Sequence, residues 1–460
     1  MNVVKKISEN GYCIGCGICV SVCPNNSLDI GFNSYGEYEV FSTDECIDNC
    51  KRCLDICPFF KNKQALKFEN IFSVDSMQYD KNLGYFYNTY YGFVKNNNKR
   101  KKSASGGLTT WLLKRLLRNN YVDFAIMVTR SNNPDKLFKY EVIKSEELIQ
   151  KSSGSAYYPV ELSGVLDFIK SNEKKFAVVG LPCFIRGLRF LKKESPIYEN
   201  RIKFLIGLTC GQLKSKFFTD YLKRKSSIKS NIKEIKFRKY NKNDGADNFI
   251  VKINFKNNEE ASFEFKNDVK NLWVNRHFMP VACRYCEDVF AENADVTFMD
   301  AWLSEFIKEP LGTNLVVTRN LKINKILQNG ITDGEIIIES IKGENVVKSQ
   351  KGVIEYKKRK NIFNFNKAKK EKEYVPEIER KNNKISFIEK KEMHYLNILI
   401  DKSRELWRKV KKDKIDFERY NSEIKKIEKK LNIIKKYKLF IHRIKKIFFK
   451  LIKILRKDKH

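Results

Sequence analysis

The 460-residue chain is long enough for two or three domains, and its 42% hydrophobic content is enough for a packed core, which excludes wholesale disorder. No apolar run of about 18 residues occurs, which excludes a membrane-spanning helix, and the opening MNVVKKISENGYC lacks the apolar stretch of a signal peptide, so the expected compartment is the cytosol. The formal charge of +35 is no nucleic-acid signature: residues 357–460 hold 36 Lys and Arg against 14 Asp and Glu, most of the excess, and no recognition motif accompanies them, so no nucleic-acid partner is expected.

The first predicted unit, residues 1–62, is written in cysteines. Cys13, Cys16, Cys19 and Cys23 follow the spacing C-x2-C-x2-C-x3-C-P, and Cys46, Cys50, Cys53 and Cys57 repeat it with one extra residue in the first gap. Three thiolates of so tight a run hold three corners of a [4Fe–4S] cubane, and the fourth ligand comes from the opposite run. This assigns Cys13, Cys16, Cys19 and Cys57 to one cluster and Cys23, Cys46, Cys50 and Cys53 to a second. Zinc sites take four ligands as two separated pairs, which fits these runs poorly. The spacing resembles that of bacterial two-cluster ferredoxins.

Residues 63–85 show no periodicity and read as a linker. An α/β pattern follows: a strand at 89–94, a helix at 108–120 with apolar residues at 108, 112, 113, 116 and 117, and a strand at 121–128. A strand at 175–180, a helix at 184–191 and a strand at 203–210 continue it, and the alternation points to a mostly parallel sheet. Residues 235–265 read instead as antiparallel strands about the turn Asn243-Asp244-Gly245. Ser105, Gly106, Gly107 and Thr109 form a Gly-rich turn that opens a helix, where free N–H groups and the helix dipole favour a phosphate. A plain helix cap explains the same residues equally well. A second small-residue loop carries Ser155 and Tyr157, which can line the same pocket.

Four further cysteines lie in this body. Cys183 and Cys210 each follow a predicted strand, which in a parallel sheet places both at the carboxyl edge where such folds hold ligands. Cys283 and Cys286 form a C-x2-C pair. Together the four can hold a third [4Fe–4S] cluster; two buried core thiols beside a zinc or redox pair is the alternative.

At this point the chain resembles the beta-subunit family of coenzyme F-420 hydrogenases and dehydrogenases. The resemblance is carried in order by Ser105-Gly-Gly-Leu-Thr109, Ser155-Ala-Tyr-Tyr-Pro159, Val179-Gly-Leu-Pro-Cys183, Cys210-Gly211, Cys283-x2-Cys286-Glu-Asp288, and Ala294-Asp295 with Asp300-Ala-Trp302. It implies that residues 86–175 are the flavin-binding N-terminal part and residues 176–356 the C-terminal part with the late cysteines. It further implies that FAD is bound by Ser105, Gly106, Gly107, Thr109, Ser155 and Tyr157, with Asp300 beside the flavin or substrate. Phe184 and Met299 depart from the family pattern at positions expected near that surface, which puts the deazaflavin coenzyme in question as the substrate. No catalytic acid or base is singled out.

Residues 357–460 read as a basic helical tail. Tyr437, Ile441, Ile444, Phe448, Leu451 and Leu455 make an apolar stripe among lysines, suited to an anionic membrane surface, to packing on the body, or to a coiled coil. The expected architecture is an α+β ferredoxin-like two-cluster module, an α/β domain with a mostly parallel sheet, and that tail. The expected function is an iron–sulfur flavoprotein oxidoreductase exchanging electrons with a redox partner protein or ferredoxin; the alternative is a non-enzymatic electron-transfer subunit.

Overall fold

The computed structural model describes residues 2–43, 46–47, 49–60, 66, 71–72, 74–376 and 384–457, and the side chains at 445–446 and 448–457 lie outside that description. At the N-terminal end, strands β1 (Leu28–Phe32) and β2 (Tyr38–Ser42) pair antiparallel with Leu28 opposite Ser42. Single helical turns, Ile18–Ser21 and Arg52–Asp55, lie within the two cysteine runs. Their apolar residues Ile18, Leu54 and Ile56 join Leu28 and Val40 in a core shared with the body.

The stretch read as a linker is structured where it is described. Strands β3 (Gln78–Asp80) and β4 (Gly84–Phe86) form a hairpin whose turn is held by the Asp80 carboxylate, which accepts from the N–H groups of Asn82 at 2.7 Å and Leu83 at 3.1 Å. Leu83 and Phe86 are buried against the body, so burial fixes a segment that shows no periodicity.

The centre is an eight-stranded sheet. Its strands are β5 (Asn88–Val94), β6 (Phe124–Arg130), β7 (Phe138–Ile143), β8 (Phe176–Gly180), β9 (Ile202–Leu208), β13 (Val296–Asp300), β14 (Asn314–Thr318) and β15 (Ile336–Ser340), ordered β15-β5-β14-β13-β9-β8-β6-β7. Between β9 and β13 in the chain, β10 (Ile232–Lys239), β11 (Ile250–Phe255) and β12 (Glu260–Glu264) form a separate antiparallel sheet. In the large sheet β6, β8, β9 and β13 are parallel neighbours. Antiparallel strands extend this parallel centre on both sides: β7 at one edge, and β14, β5 and β15 at the other. Through these pairings β5 points the same way as the four central strands, so five of the eight run in one direction. The central strand Phe-Ala-Val-Val-Gly of β8 is buried along its whole length, as a strand covered on both faces must be.

Helices α1 (Leu108–Arg118), α2 (Ser163–Ser171) and α3 (Pro182–Glu194) cover the sheet. The basic region forms α4 (Lys351–Lys370), α5 (Phe387–Val410) and α6 (Phe417–Lys457). The boundary expected at 356/357 therefore falls inside a helix. Ser386 and Glu389 close a reciprocal cap on α5. Met393, Leu396, Ile400 and Trp407 of α5, with Tyr420, Ile424 and Leu431 of α6, share a core with Phe237, Ile253 and Phe255 of the smaller sheet. Beyond Leu431 the apolar core ends, although Lys435 donates to Asn275 Oδ1 at 2.7 Å and Lys438 pairs with Glu392: Tyr437 and Ile444 of the expected stripe are exposed, Ile441 is half-buried, and the side chains of Phe448, Leu451 and Leu455 lie outside the described residues. Among the described residues no helix is long and apolar enough to cross a membrane.

The C-terminal helices also reach the N-terminal module. Arg404 on α5 makes a two-pronged bond to Glu37, Nε to Oε1 and Nη2 to Oε2 at 2.8 Å each, with both side chains buried. Near the end of α4, the Tyr374 carbonyl accepts from the Tyr12 hydroxyl at 2.6 Å, and the Tyr374 hydroxyl donates to the Phe59 carbonyl at 3.2 Å.

Candidate redox site

The first cysteine run folds as a tight loop because two glycines allow it. Gly15 (φ +65°) and Gly17 (φ +75°) are left-handed, and the Gly15 N–H points at Cys13 Sγ, 3.4 Å away. The loop is pressed between β2 and the start of α2, where the Leu162 N–H donates to the Cys16 carbonyl at 2.9 Å. Behind it, Gly187 on α3 leaves room for Ile18, whose Cδ1 would lie 2.6 Å from a Cβ there.

The twelve thiols are all free and fall into three groups. Cys13, Cys16, Cys19 and Cys57 face one another closely enough that each thiolate would raise its neighbours' pKa values. Cys23, Cys46, Cys50 and Cys53 line one cleft beside Pro24 and Arg52. Cys183 feels Cys286, Cys210 and Cys283, and also Cys16 of the first group, which brings the first and third groups side by side. Tyr140, buried and donating to the Val179 carbonyl at 3.0 Å, lies within reach of both Cys16 and Cys183.

Burial pushes up the thiols of Cys16, Cys19 and Cys183, and the neighbouring cysteines add to the shift. The Cys57 and Cys283 thiols are pushed up to about 12, again chiefly by burial. Four buried thiolates cannot ionise together unless a cationic centre lies between them. An all-thiol donor set of this kind fits an iron–sulfur cubane, which carries its own positive iron. Among the described residues no three His, Cys, Asp or Glu side chains close on one point as a lone metal ion requires.

The carboxyl ends of the five co-directional strands lie along one edge of the sheet. Chain order places the Gly-rich turn after β5, Arg130 at the end of β6, Cys183 after β8, Cys210 after β9 and Asp300 at the end of β13. The Gly-rich turn is backed against this edge: a Cβ on Gly106 would lie 2.7 Å from the Gly92 carbonyl and 2.9 Å from Asn314. Asn314 Oδ1 accepts from the Leu108 N–H at 3.1 Å and so caps α1 from across the sheet. Ser105 is buried, and its hydroxyl donates to the Thr313 carbonyl at 3.0 Å rather than facing a pocket. Thr109 is half-buried in the first turn of α1. The two small-residue loops do meet, through Ser103 and Ser153 hydroxyls 3.3 Å apart, with Thr110 also 3.3 Å from Ser153. Beside this junction lies a cavity of about 400 Å³ lined by Ser103, Gly107, Thr110, Lys95, Lys99 and Lys114. Small polar groups backed by three lysines suit a phosphate-bearing ligand.

Tyr157 packs on Trp273, ring centroids 4.5 Å apart, and Asp300 is paired with Arg238 at 2.6 Å. Asp300 thus does not present a lone carboxylate; Arg238, which no sequence motif marks, holds it. Ser155, half-buried, adjoins Tyr157 on the loop before α2. Phe184 and Met299, expected near the flavin or substrate surface, are both buried in apolar cores. Asp295 has a structural task, accepting from the Leu205 N–H at 2.7 Å and pairing with Arg189 at 3.1 Å.

The third cysteine group has company that the sequence does not announce. Lys357 Nζ of α4 lies 3.4 Å from Cys286 Sγ and also donates to the Asp288 carbonyl. Lys360 donates to the Cys283 carbonyl, and burial, followed by repulsion from Lys357, pushes its pKa down to about 7.

Comparison with known proteins fits this geometry. Residues 173–344 match the model for the C terminus of the coenzyme F420 hydrogenase/dehydrogenase beta subunit, and residues 89–167 match that for its N-terminal part. Residues 12–61 match a 4Fe-4S dicluster domain. The chain is 28% identical over 316 residues to the coenzyme F420-dependent sulfite reductase of Methanocaldococcus jannaschii, covering 64% of this chain and 43% of that protein, so it spans less than half the relative's length. It is 38% identical over 55 residues to an uncharacterized ferredoxin of the same organism, covering 12% of this chain and 70% of that one. In fold it is similar to a chain of the F420-reducing [NiFe] hydrogenase complex from Methanosarcina barkeri, with a TM-score of 0.50 and 19% identity, covering 65% of this chain and 98% of that one.

Proposed function

Because the chain belongs to the coenzyme F420 hydrogenase/dehydrogenase beta-subunit family and carries a 4Fe-4S dicluster domain, we propose that it is an iron–sulfur flavoprotein relaying electrons between a redox partner protein and bound FAD. The observation that carries this reading is the placement of Cys183, Cys210, Cys283 and Cys286 together at the carboxyl edge, within electrostatic reach of Cys16. The first two cysteine groups would hold two [4Fe–4S] clusters and the late group a third; the basic cavity by Ser103, Gly107 and Thr110 would take the phosphates of FAD. When bound, these groups supply one-electron transfer and, at the flavin, exchange between one- and two-electron chemistry.

The chain's own residues prepare the site for this. Ile18, Leu54 and Ile56 keep water from the first cysteine group by joining the body core. Tyr140 fills the space between the first and third groups with a neutral ring, since burial and the neighbouring thiols hold its hydroxyl protonated. Lys95, Lys99 and Lys114 line the cavity, whose one carboxylate among the described residues, Glu335, is paired with Arg115 and Arg118, and Arg238 fixes Asp300.

Iron and flavin per chain test the proposal. About twelve irons and one FAD are expected, whereas about eight irons with no flavin band would reduce the chain to its ferredoxin module.

A second contact is supported by α6. Ile433, Tyr437, Phe440, Ile444 and Ile447 are exposed, and they recur at alternating spacings of four and three along one helix face. Lys436 and Arg443 stand beside them in the solvent. A basic helix with such a stripe suits the surface of an anionic membrane, and we read it as a peripheral docking face.

A further inference from the structure

The matched family region ends at residue 344, yet α4, which begins at Lys351, brings two buried lysines to the third cysteine group. Lys357 and Lys360 are three residues apart and so share one helix face. They are 3% and 2% exposed, and they contact Cys286 Sγ and the Cys283 carbonyl respectively. Arg276, also buried, adds positive charge to that of Lys357, its guanidinium 4.0 Å from the Tyr356 ring centroid and within electrostatic reach of Cys210 and Cys283.

The first group has the opposite surroundings. The charged group that acts on Cys13 is the Glu39 carboxylate. Glu161 presses on the same loop, its Oε2 lying 2.8 Å from where a Gly17 Cβ would stand. Carboxylates thus stand beside Cys13 and Gly17, whereas Lys357 and Arg276 bring positive charge to the third group, where Asp288 is the neighbouring carboxylate.

Reducing a [4Fe–4S] centre by one electron adds one negative charge to the iron, sulfide and thiolate unit and breaks no bond. An ammonium held nearby in a low-dielectric setting stabilises the reduced form more than the oxidised one, and a hydrogen bond to a ligand sulfur acts in the same sense. We propose that Lys357 is a positioning residue that holds positive charge on Cys286 and thereby raises the reduction potential of the third cluster above that of the first. Electrons supplied at the N-terminal module then settle at the carboxyl edge of the sheet. This inference rests on the three-cluster reading above.

The test is a dithionite titration of the purified, full-length, iron-loaded protein followed by electron paramagnetic resonance, with iron counted on the same samples. Lys357→Met is expected to lower one midpoint by a tenfold or larger change in the oxidised-to-reduced ratio, about 59 mV for one electron, and to leave the others in place. Lys357→Arg, which keeps the charge, should stay near the wild-type value. Full iron with an unmoved midpoint in Lys357→Met overturns the inference. So does loss of the third cluster in both variants, which would make Lys357 an assembly residue. About eight irons in the wild-type protein would instead remove the three-cluster reading itself.

Discussion

Gly15 shows how much a single position carries. A Cβ there would lie 2.4 Å from Tyr38 Cβ and 2.5 Å from its carbonyl oxygen, and Tyr38 sits in a paired strand that cannot retreat. Its left-handed φ alone costs a side-chain-bearing residue about 1–2 kcal/mol, and the clash adds to that. Gly15→Ala should lower the melting temperature and cost the protein iron from the first group; a variant matching wild type in both would remove the argument. At this scale the cysteines are legible because ligand spacing is written in consecutive residues. Ser105 misleads, since nothing local reveals that Thr313, more than two hundred residues away, takes its hydroxyl. Asn314 as the cap of α1, Arg238 as the partner of Asp300 and Lys357 beside Cys286 are hidden for the same reason. Lys357 is one lysine in a region crowded with them.

At the scale of elements, α6 is fastened to the body by a polar cluster with its own pH response. His277 is buried, with Nε2 2.9 Å from Glu428 Oε1, and Asn271 and Asn275 donate to the same oxygen at 2.7 and 3.3 Å. Burial holds the His277 pKa below its ordinary value; Glu428 pulls it up, and Lys214 pushes it down. Bonding from His277 and the two amides overcomes burial and keeps the Glu428 carboxyl below its usual range. As pH falls through about 6.5 the unfolded chain takes up the His277 proton before the folded one does, so stability falls with it. The melting temperature should therefore drop more steeply between about pH 7 and pH 5 in wild type than in His277→Gln, and parallel slopes would count against this. The helices of the C-terminal region are predictable from their periodicity, and so is the alternation of the body. Their partners are not: periodicity tells which face is apolar, not which of several apolar surfaces covers it. The parallel centre of the sheet is foreseeable in this way; β14 and β15 are not, and they turn its far side antiparallel.

For the molecule as a whole, the packing runs across the expected division into successive units. The supposed tail completes the core of the smaller sheet, clasps the N-terminal hairpin through Arg404 and Glu37, and reaches the third cysteine group. Removing residues 357–460 would therefore unmake the body, and membrane attachment needs a gentler probe. Phe440 and Ile444 are 58% and 49% exposed, so replacing both with Glu should leave the melting temperature nearly unchanged. Binding to phosphatidylserine-containing vesicles should weaken more than tenfold, since each buried side chain contributes about 1.5–3 kcal/mol. Unchanged co-sedimentation would remove the docking face.

The bonds Tyr12–Tyr374 and Glu37–Arg404 join residues more than 360 positions apart. During synthesis the cysteines of the N-terminal module leave the ribosome about three hundred residues ahead of α4 and α5. The first eight thiols therefore wait while those residues are made, and contacts of such long range form slowly. Until those late helices emerge, the cysteines of the N-terminal module lack two of the contacts that tie the module down, and a thiol in that state is open to oxygen.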